Sequence, residues 1–148
     1  MKITIGSDHG AVALKEEVKK VLAEFGVEVT DVGTFGTDSV DYPDIAEKVC
    51  ADVVSNTADR GIVLCGTGIG ISIAANKIKG IRCALCNDVF SAKMSREHNN
   101  ANVLAMGGRV LGFGSASEIV RAWIQTDFSH GERHTRRIEK ISALESRP

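Results

Sequence analysis

Cys65 stands directly before Gly66-Thr67-Gly68-Ile69-Gly70, a run with three glycines in five positions. The apolar segment Ile62-Val63-Leu64 precedes it, and a helical pattern from Ile71 to about Ile78 follows. The run therefore turns a strand into a helix. Glycines there allow tight backbone geometry and close approach of a ligand to peptide N–H groups. The positive end of the following helix favours an anion. A thiol in that field is favoured as the thiolate, its basic and nucleophilic form. One segment thus offers a base together with donors for a developing oxyanion. The competing reading is an inert buried cysteine in a glycine-rich turn. The run is not a dinucleotide fingerprint, because Ile71 stands where GxGxxG needs glycine, and it lacks the Gly-Lys-Ser/Thr end of a P-loop.

Other candidates lie apart in the chain. Asp8-His9 follows an apolar strand pattern and offers a carboxylate and an imidazole, or merely a helix cap. His98-Asn99 falls at a helix end, where a histidine is also favoured on structural grounds. Arg133 and Arg137 are four residues apart and share one helical face, suited to a phosphate or to solvent. Arg109, after Gly107-Gly108, is either a further cation for such a ligand or an ordinary surface residue. Four cysteines are present, and Cys83-Ala-Leu-Cys86 has the spacing of a zinc or redox pair. It lies in the apolar run Ile81 to Cys86, read as a buried strand, on which an offset of three sends the two sulfurs to opposite faces. No second ligand pair follows, so the structural reading is preferred.

The 148 residues suit one domain spanning the chain, 1–148. The formal net charge of −1 lacks the footprint of a nucleic-acid binder. No apolar run reaches membrane-spanning length, and no signal peptide is recognised, so a cytoplasmic location and reduced thiols are expected. Strands are read at Lys2 to Ser7, Val27 to Val32, Gly61 to Leu64, Ile81 to Cys86 and Val103 to Met106. Helices are read at Gly10 to Phe25, from Tyr42 to about Ser55, Ile71 to about Ile78, Asp88 to about Glu97, Ser115 to about Gln125 and Arg133 to Leu144. The fifth helix is expected to be capped by Ser115 or Ser117. This alternation predicts an α/β fold: a doubly wound, Rossmann-like sheet of five parallel strands with helices on both faces and a C-terminal helix. The continuous apolar strands are expected to be buried on both sides. Ligands in such sheets bind beyond the C-terminal strand ends, which selects Ser7-Asp8-His9, Cys65 to Gly70, Asn87-Asp88 and Gly107 to Arg109.

Several segments, taken in order, resemble type B ribose-5-phosphate isomerase, a family that includes galactose-6-phosphate isomerase subunits. They are Gly6-Ser7-Asp8-His9, Asp41-Tyr42-Pro43-Asp44, the long run from Cys65 to Lys77, Arg96-Glu97-His98-Asn99, Asn102 to Ala105, Gly107-Gly108-Arg109, and Arg133-His134 with Arg137. The resemblance covers essentially the whole chain. It implies metal-free, cofactor-free aldose–ketose isomerisation of a sugar phosphate through an enediolate. It also implies a homodimer, or a tetramer of such dimers, with the site shared between subunits. By the same resemblance Cys65 is the base, and the backbone of Gly66, Thr67, Gly68, Ile69 and Gly70 cradles the enediolate oxygen. His98 with Thr67 opens the sugar ring, Asp8 and Asn99 contact the sugar, and Tyr42 lines the pocket. His9, Arg109, Arg133 and Arg137 bind the phosphate. Arg136 and His130 receive no role.

Ribose 5-phosphate and ribulose 5-phosphate, of the pentose phosphate pathway, are the expected pair. Six-carbon substrates such as allose 6-phosphate or galactose 6-phosphate are the alternative. A more distant rival is a nucleotide-binding regulatory module, in which Asp31 at the end of the second strand would hold a ribose.

Overall fold

A computed structural model describes residues 1–147. Five parallel strands form one sheet in the order β2-β1-β3-β5-β4: β1 (Lys2–Ser7), β2 (Glu28–Asp31), β3 (Arg60–Cys65), β4 (Cys83–Leu85) and β5 (Val103–Gly107). Six α-helices accompany them: α1 (Val12–Glu24), α2 (Tyr42–Val54), α3 (Ile69–Ala75), α4 (Val89–Glu97), α5 (Phe113–Gln125) and α6 (Glu132–Leu144). The doubly wound expectation holds.

Side-chain alternation builds two cores. Ile3, Ile5, Ile62, Leu64, Leu104 and Met106 face one way, toward α1, α4 and α5 with the fully buried Trp123. Val63, Cys65, Val103 and Ala105 face the other way, toward α2 and α3. The central strands β1, β3 and β5 are buried along nearly their whole length. The outer two are not: β2 and β4 are only half-buried, because each is an edge strand with one neighbour. β4 is correspondingly shorter than its apolar run. Cys86 packs in the first core and Cys83 against the second, so the pair does straddle the sheet. Burial pushes the Cys86 thiol up to about 11 and the Cys50 thiol up to about 12.

Local signals mostly act as read. Gly26 ends α1 with φ of 65°, and Asp88 caps α4 by accepting from the Ser91 N–H at 2.7 Å. The start of α5 differs. It begins at Phe113 after an extended Gly112, with no side-chain cap, and Ser117 Oγ instead donates back to the Phe113 carbonyl within the helix. The turn after β5 accounts for the early start, since the Val110 and Leu111 N–H groups both donate to the Gly107 carbonyl. A 3-10 turn, His9–Ala11, precedes α1, with Asp8 accepting from the Gly10 N–H at 2.8 Å.

The order of strands places a topological switch between β1 and β3. From β1 the chain passes outward to β2 and then returns to β3 on the other side of β1. The loops leaving β1 and β3 therefore diverge and leave a crevice at their C-terminal ends, the usual ligand position in open α/β sheets.

Candidate active site

Asp8-His9 leaves β1 at this crevice and Cys65 leaves β3 beside it. The Asp8 N–H donates to the Leu64 carbonyl at 3.0 Å, which ties the two strand ends together. Cys65 is 4% exposed, and its Sγ accepts the Gly68 N–H at 3.1 Å. Gly68 has φ of 78°, and a Cβ there would lie 2.6 Å from Leu85 Cδ1 and 2.8 Å from the Met106 carbonyl carbon. Only glycine therefore bends the chain sharply enough to turn that N–H back onto Cys65. Thr67 is exposed at the crest of the loop, and its Oγ1 accepts the Ile69 N–H at 3.2 Å.

Arg109 arrives from β5. The Gly108 N–H donates to the Cys65 carbonyl and the Arg109 N–H to the Gly66 carbonyl, both at 2.9 Å. The Arg109 guanidinium lies over Gly66, where a Cβ would come within 3.3 Å of Nη1. Tyr42, at the start of α2, lies against Gly70, where a Cβ would meet its Cζ at 2.5 Å. His9 Nδ1 accepts the Val40 N–H at 3.2 Å. That bond requires an unprotonated Nδ1, so the ring proton sits on Nε2 and makes that nitrogen a donor. Asp8, His9, Tyr42, Cys65 to Gly70 and Arg109 are thus brought together at one edge of the sheet. They join a thiol, peptide donors, a guanidinium and an imidazole N–H around one crevice.

His98, Asn99, Arg133 and Arg137 are not part of this group within one chain. α4 runs back against the strands, and its C-terminal end meets the start of β5, where the Ala101 N–H donates to the Ser95 carbonyl at 2.9 Å. These residues therefore lie toward the N-terminal edge of the sheet, about 16 Å along the strands from Cys65. There they form a second cluster. The His98 and His134 rings lie 4.3 Å apart between centroids, tilted by 32°. His134 Nδ1 and Ser129 Oγ are 2.7 Å apart, and the Ser129 N–H donates to the Glu97 carbonyl at 3.0 Å. Burial, together with the neighbouring His98, Arg133 and Arg137, holds His134 below the ordinary imidazole value. Arg96 braces this end of α4, donating to the carbonyls of Ala101 and Thr126 and to Asn100 Oδ1. Its burial lowers it to about 10, with Arg60 nearby adding to the shift. No residue pattern in the sequence pointed to Ser129 or Arg96 as supports of His98.

Asp31 does not await a ribose: Oδ1 accepts from Lys15 Nζ at 2.8 Å and from the Gly33 N–H at 2.9 Å, and Oδ2 accepts from Lys19 Nζ at 2.9 Å. Among the described residues no cluster of three or more histidine, cysteine or carboxylate groups is placed to hold a metal ion. Among the same residues no helix is long and apolar enough to cross a membrane.

Comparison with known proteins matches residues 3–141 to the family model described as Ribose/Galactose Isomerase. The chain is 55% identical over 148 residues to a putative sugar phosphate isomerase, YwlF, of Bacillus subtilis, covering 99% of each chain. It is 48% identical over 146 residues to ribose-5-phosphate isomerase B of Escherichia coli, covering 99% of this chain and 97% of the other. The solved ribose-5-phosphate isomerase B of Clostridium thermocellum superposes with a TM-score of 0.95 at 54% identity, over 98% of this chain and 97% of that one. More distant relatives carry other substrate names: D-erythrulose-4-phosphate isomerase of Pectobacterium atrosepticum at 41% identity, over 98% and 95% of the two chains, and a galactose-6-phosphate isomerase subunit of Clostridium acetobutylicum at 38%, over 97% and 83%. With a family model spanning nearly its whole length and a fold superposing on a solved member, this chain belongs to the ribose/galactose isomerase family and is an isomerase.

Proposed function

We propose that this enzyme interconverts ribose 5-phosphate and ribulose 5-phosphate through an enediolate, with Cys65 as the base. The observation that carries the reading is the Cys65 sulfur held by the Gly68 N–H at the C-terminal end of β3. Removing the C2 proton of an open-chain aldose leaves negative charge on the carbonyl oxygen, and that charge needs donors already in place. The thiolate takes the C2 proton and returns it to C1 while the O2 hydroxyl proton passes to O1; peptide N–H groups of the Gly66–Gly70 loop other than those of Gly68 and Ile69, which Cys65 Sγ and Thr67 Oγ1 hold, face the oxygen. Asp8 contacts the sugar hydroxyls and Tyr42 closes one wall. His9 through Nε2–H and Arg109 through its guanidinium hold the phosphate, whose binding energy keeps the sugar aligned although it does not react.

Within this proposal a second copy of the chain supplies His98, Asn99, Arg133 and Arg137. His98 of that copy, with Thr67, opens the furanose ring, and its two arginines complete the phosphate site. Support comes from the apolar side chains flanking each half: Ile69 and Ile73 on α3 are 53% and 56% exposed, and Ile141 and Leu144 on α6 are 41% and 54% exposed. A two-fold dimer would cover such surfaces and build two equal sites.

The test is isomerisation of ribose 5-phosphate without added metal, run in deuterated water to follow exchange at C1 and C2. Native protein is expected to turn over and exchange, and Cys65→Ala to do neither. Turnover by that variant near the native rate would remove Cys65 from the mechanism. The relatives named for galactose 6-phosphate and erythrulose 4-phosphate make other chain lengths the competing reading. Comparing kcat/KM on four-, five- and six-carbon substrates decides between them.

A further inference from the structure

Lys15 is a helix lysine with a fully buried side chain, and it touches neither half of the site described above. Its ammonium donates to Asp31 Oδ1 at 2.8 Å and to the Thr34 carbonyl at 2.6 Å, and it lies 4.3 Å from the centre of the Phe35 ring. Asp31 also accepts from the Gly33 N–H and from Lys19. Beside them the Ser7 N–H donates to the Gly33 carbonyl at 2.7 Å, and the Thr34 N–H to the Ser7 carbonyl at 2.6 Å. These bonds hold the last residue of β2 and the first residues of the segment between β2 and α2. The other end of that segment enters the crevice: the Val40 N–H holds His9 Nδ1, and Tyr42 lies against Gly70. Between the two ends, residues 35–39 are exposed.

We infer that Lys15 and Asp31 are positioning residues for substrate binding: by fixing the root of segment 33–41 they hold the Val40 N–H on His9 and so aim Nε2–H at the ligand. A buried ammonium is costly unless paired and hydrogen-bonded. Its use here in place of an apolar side chain fits a demand for one loop geometry, since Lys15 reaches a carboxylate and a loop carbonyl together, which no apolar residue does. The consequence belongs to binding. The clamp acts through His9 and lies away from Cys65, so its loss disturbs phosphate recognition and leaves proton transfer intact.

This inference rests on the isomerase reading, and a double-mutant cycle separates the two. Lys15→Met, His9→Ala and the double variant are assayed with ribose 5-phosphate at a temperature where thermal unfolding shows each to be folded. Lys15→Met is expected to raise KM about tenfold with kcat within about twofold of native, and to add almost nothing in the His9→Ala background. Cleavage by chymotrypsin at Phe35, without substrate, is expected to be faster in Lys15→Met than in native protein. An unchanged KM, or an equal rise in both backgrounds, overturns the inference. If Lys15→Met does not accumulate folded, Asp31→Asn, which keeps the shape and one acceptor oxygen, is read by the same criteria. Failure of native protein to isomerise any sugar phosphate would instead defeat the isomerase reading, and the protease arm still reports on the clamp.

Discussion

The sulfur of Cys65 and the peptide N–H of Gly68 are 3.1 Å apart, donor facing acceptor, across a three-residue turn. A serine at position 65 would keep that bond but present an alkoxide precursor of far higher pKa than a thiol, whose ordinary value is about 8.5. Cys65→Ser is therefore expected to lower kcat by about 10²–10⁴, the range typical of general base catalysis. KM and the thermal midpoint should stay close to native. Steady-state kinetics beside a melting curve checks this, and a kcat within a few-fold of native would contradict it.

Division of the candidate residues between two edges of one sheet makes a prediction about mixtures. Cys65→Ala and Arg137→Ala should each be impaired alone, the first in proton transfer and the second through a raised KM. In the proposed dimer, mixing in equal amounts with exchange of subunits would make half of the dimers mixed, each with one intact site. Activity should recover to about a quarter of native. No recovery, despite demonstrated exchange, would show that both residues serve the same chain's site.

Close packing of the loops predicts a steric failure. A Cβ on Gly107 would lie 2.5 Å from the backbone carbonyl carbon and oxygen of Thr67. Gly107→Ala must therefore push the Cys65–Gly70 loop away from β5. The expected cost is about 1–3 kcal/mol of stability, as for other overpacked sites, together with a large loss of kcat. Gly70→Ala meets the movable ring of Tyr42 instead. It should spare stability and act on KM. Chemical denaturation of the two variants side by side distinguishes these outcomes.

Acid sensitivity follows from Asp31. Burial alone would raise its carboxyl, but hydrogen bonds from Lys15, the Gly33 N–H and Lys19 outweigh it and hold the group below the usual carboxylate value. A depressed folded value means that the unfolded chain binds the proton more readily. The contribution of Asp31 is complete above the unfolded value of about 3.9 and is lost as pH falls from there through the folded value. Denaturation midpoints measured from pH 6 down to pH 2 should fall, and the fall should be shallower in Asp31→Asn. Equal slopes would mean that Asp31 gains nothing from its partners.

Much of this arrangement could be read from residue order. Alternating strands and helices put Cys65, Asp8-His9 and Arg109 at strand ends, and the parallel sheet then fixed their common edge. The same logic places His98 at the other edge, because a helix returning to the start of β5 must run against the strands. What periodicity did not reveal depends on contacts between distant elements. Lys15 sits between Leu14 and Val18 on α1 and has the residue type of a solvated position, yet its charge is buried by Asp31 at the end of β2 and by Phe35 beyond it. Burial of β4 was overestimated because an apolar run does not say which strand lies outermost. The serines near α5 suggested a cap, while hydrogen bonds to Gly107 started the helix two residues earlier.

Asn76 has a consequence beyond the site. Its side-chain amide accepts the Cys83 N–H at 2.8 Å through Oδ1 and donates to the Cys83 carbonyl at 2.9 Å through Nδ2. It thereby fills both backbone positions that an additional strand would use at the outward-facing residue of β4. Growth of the sheet into a neighbouring molecule is blocked at that point, so assembly along this flank must proceed through side chains, and end-to-end polymerisation by strand addition is disfavoured from the outset.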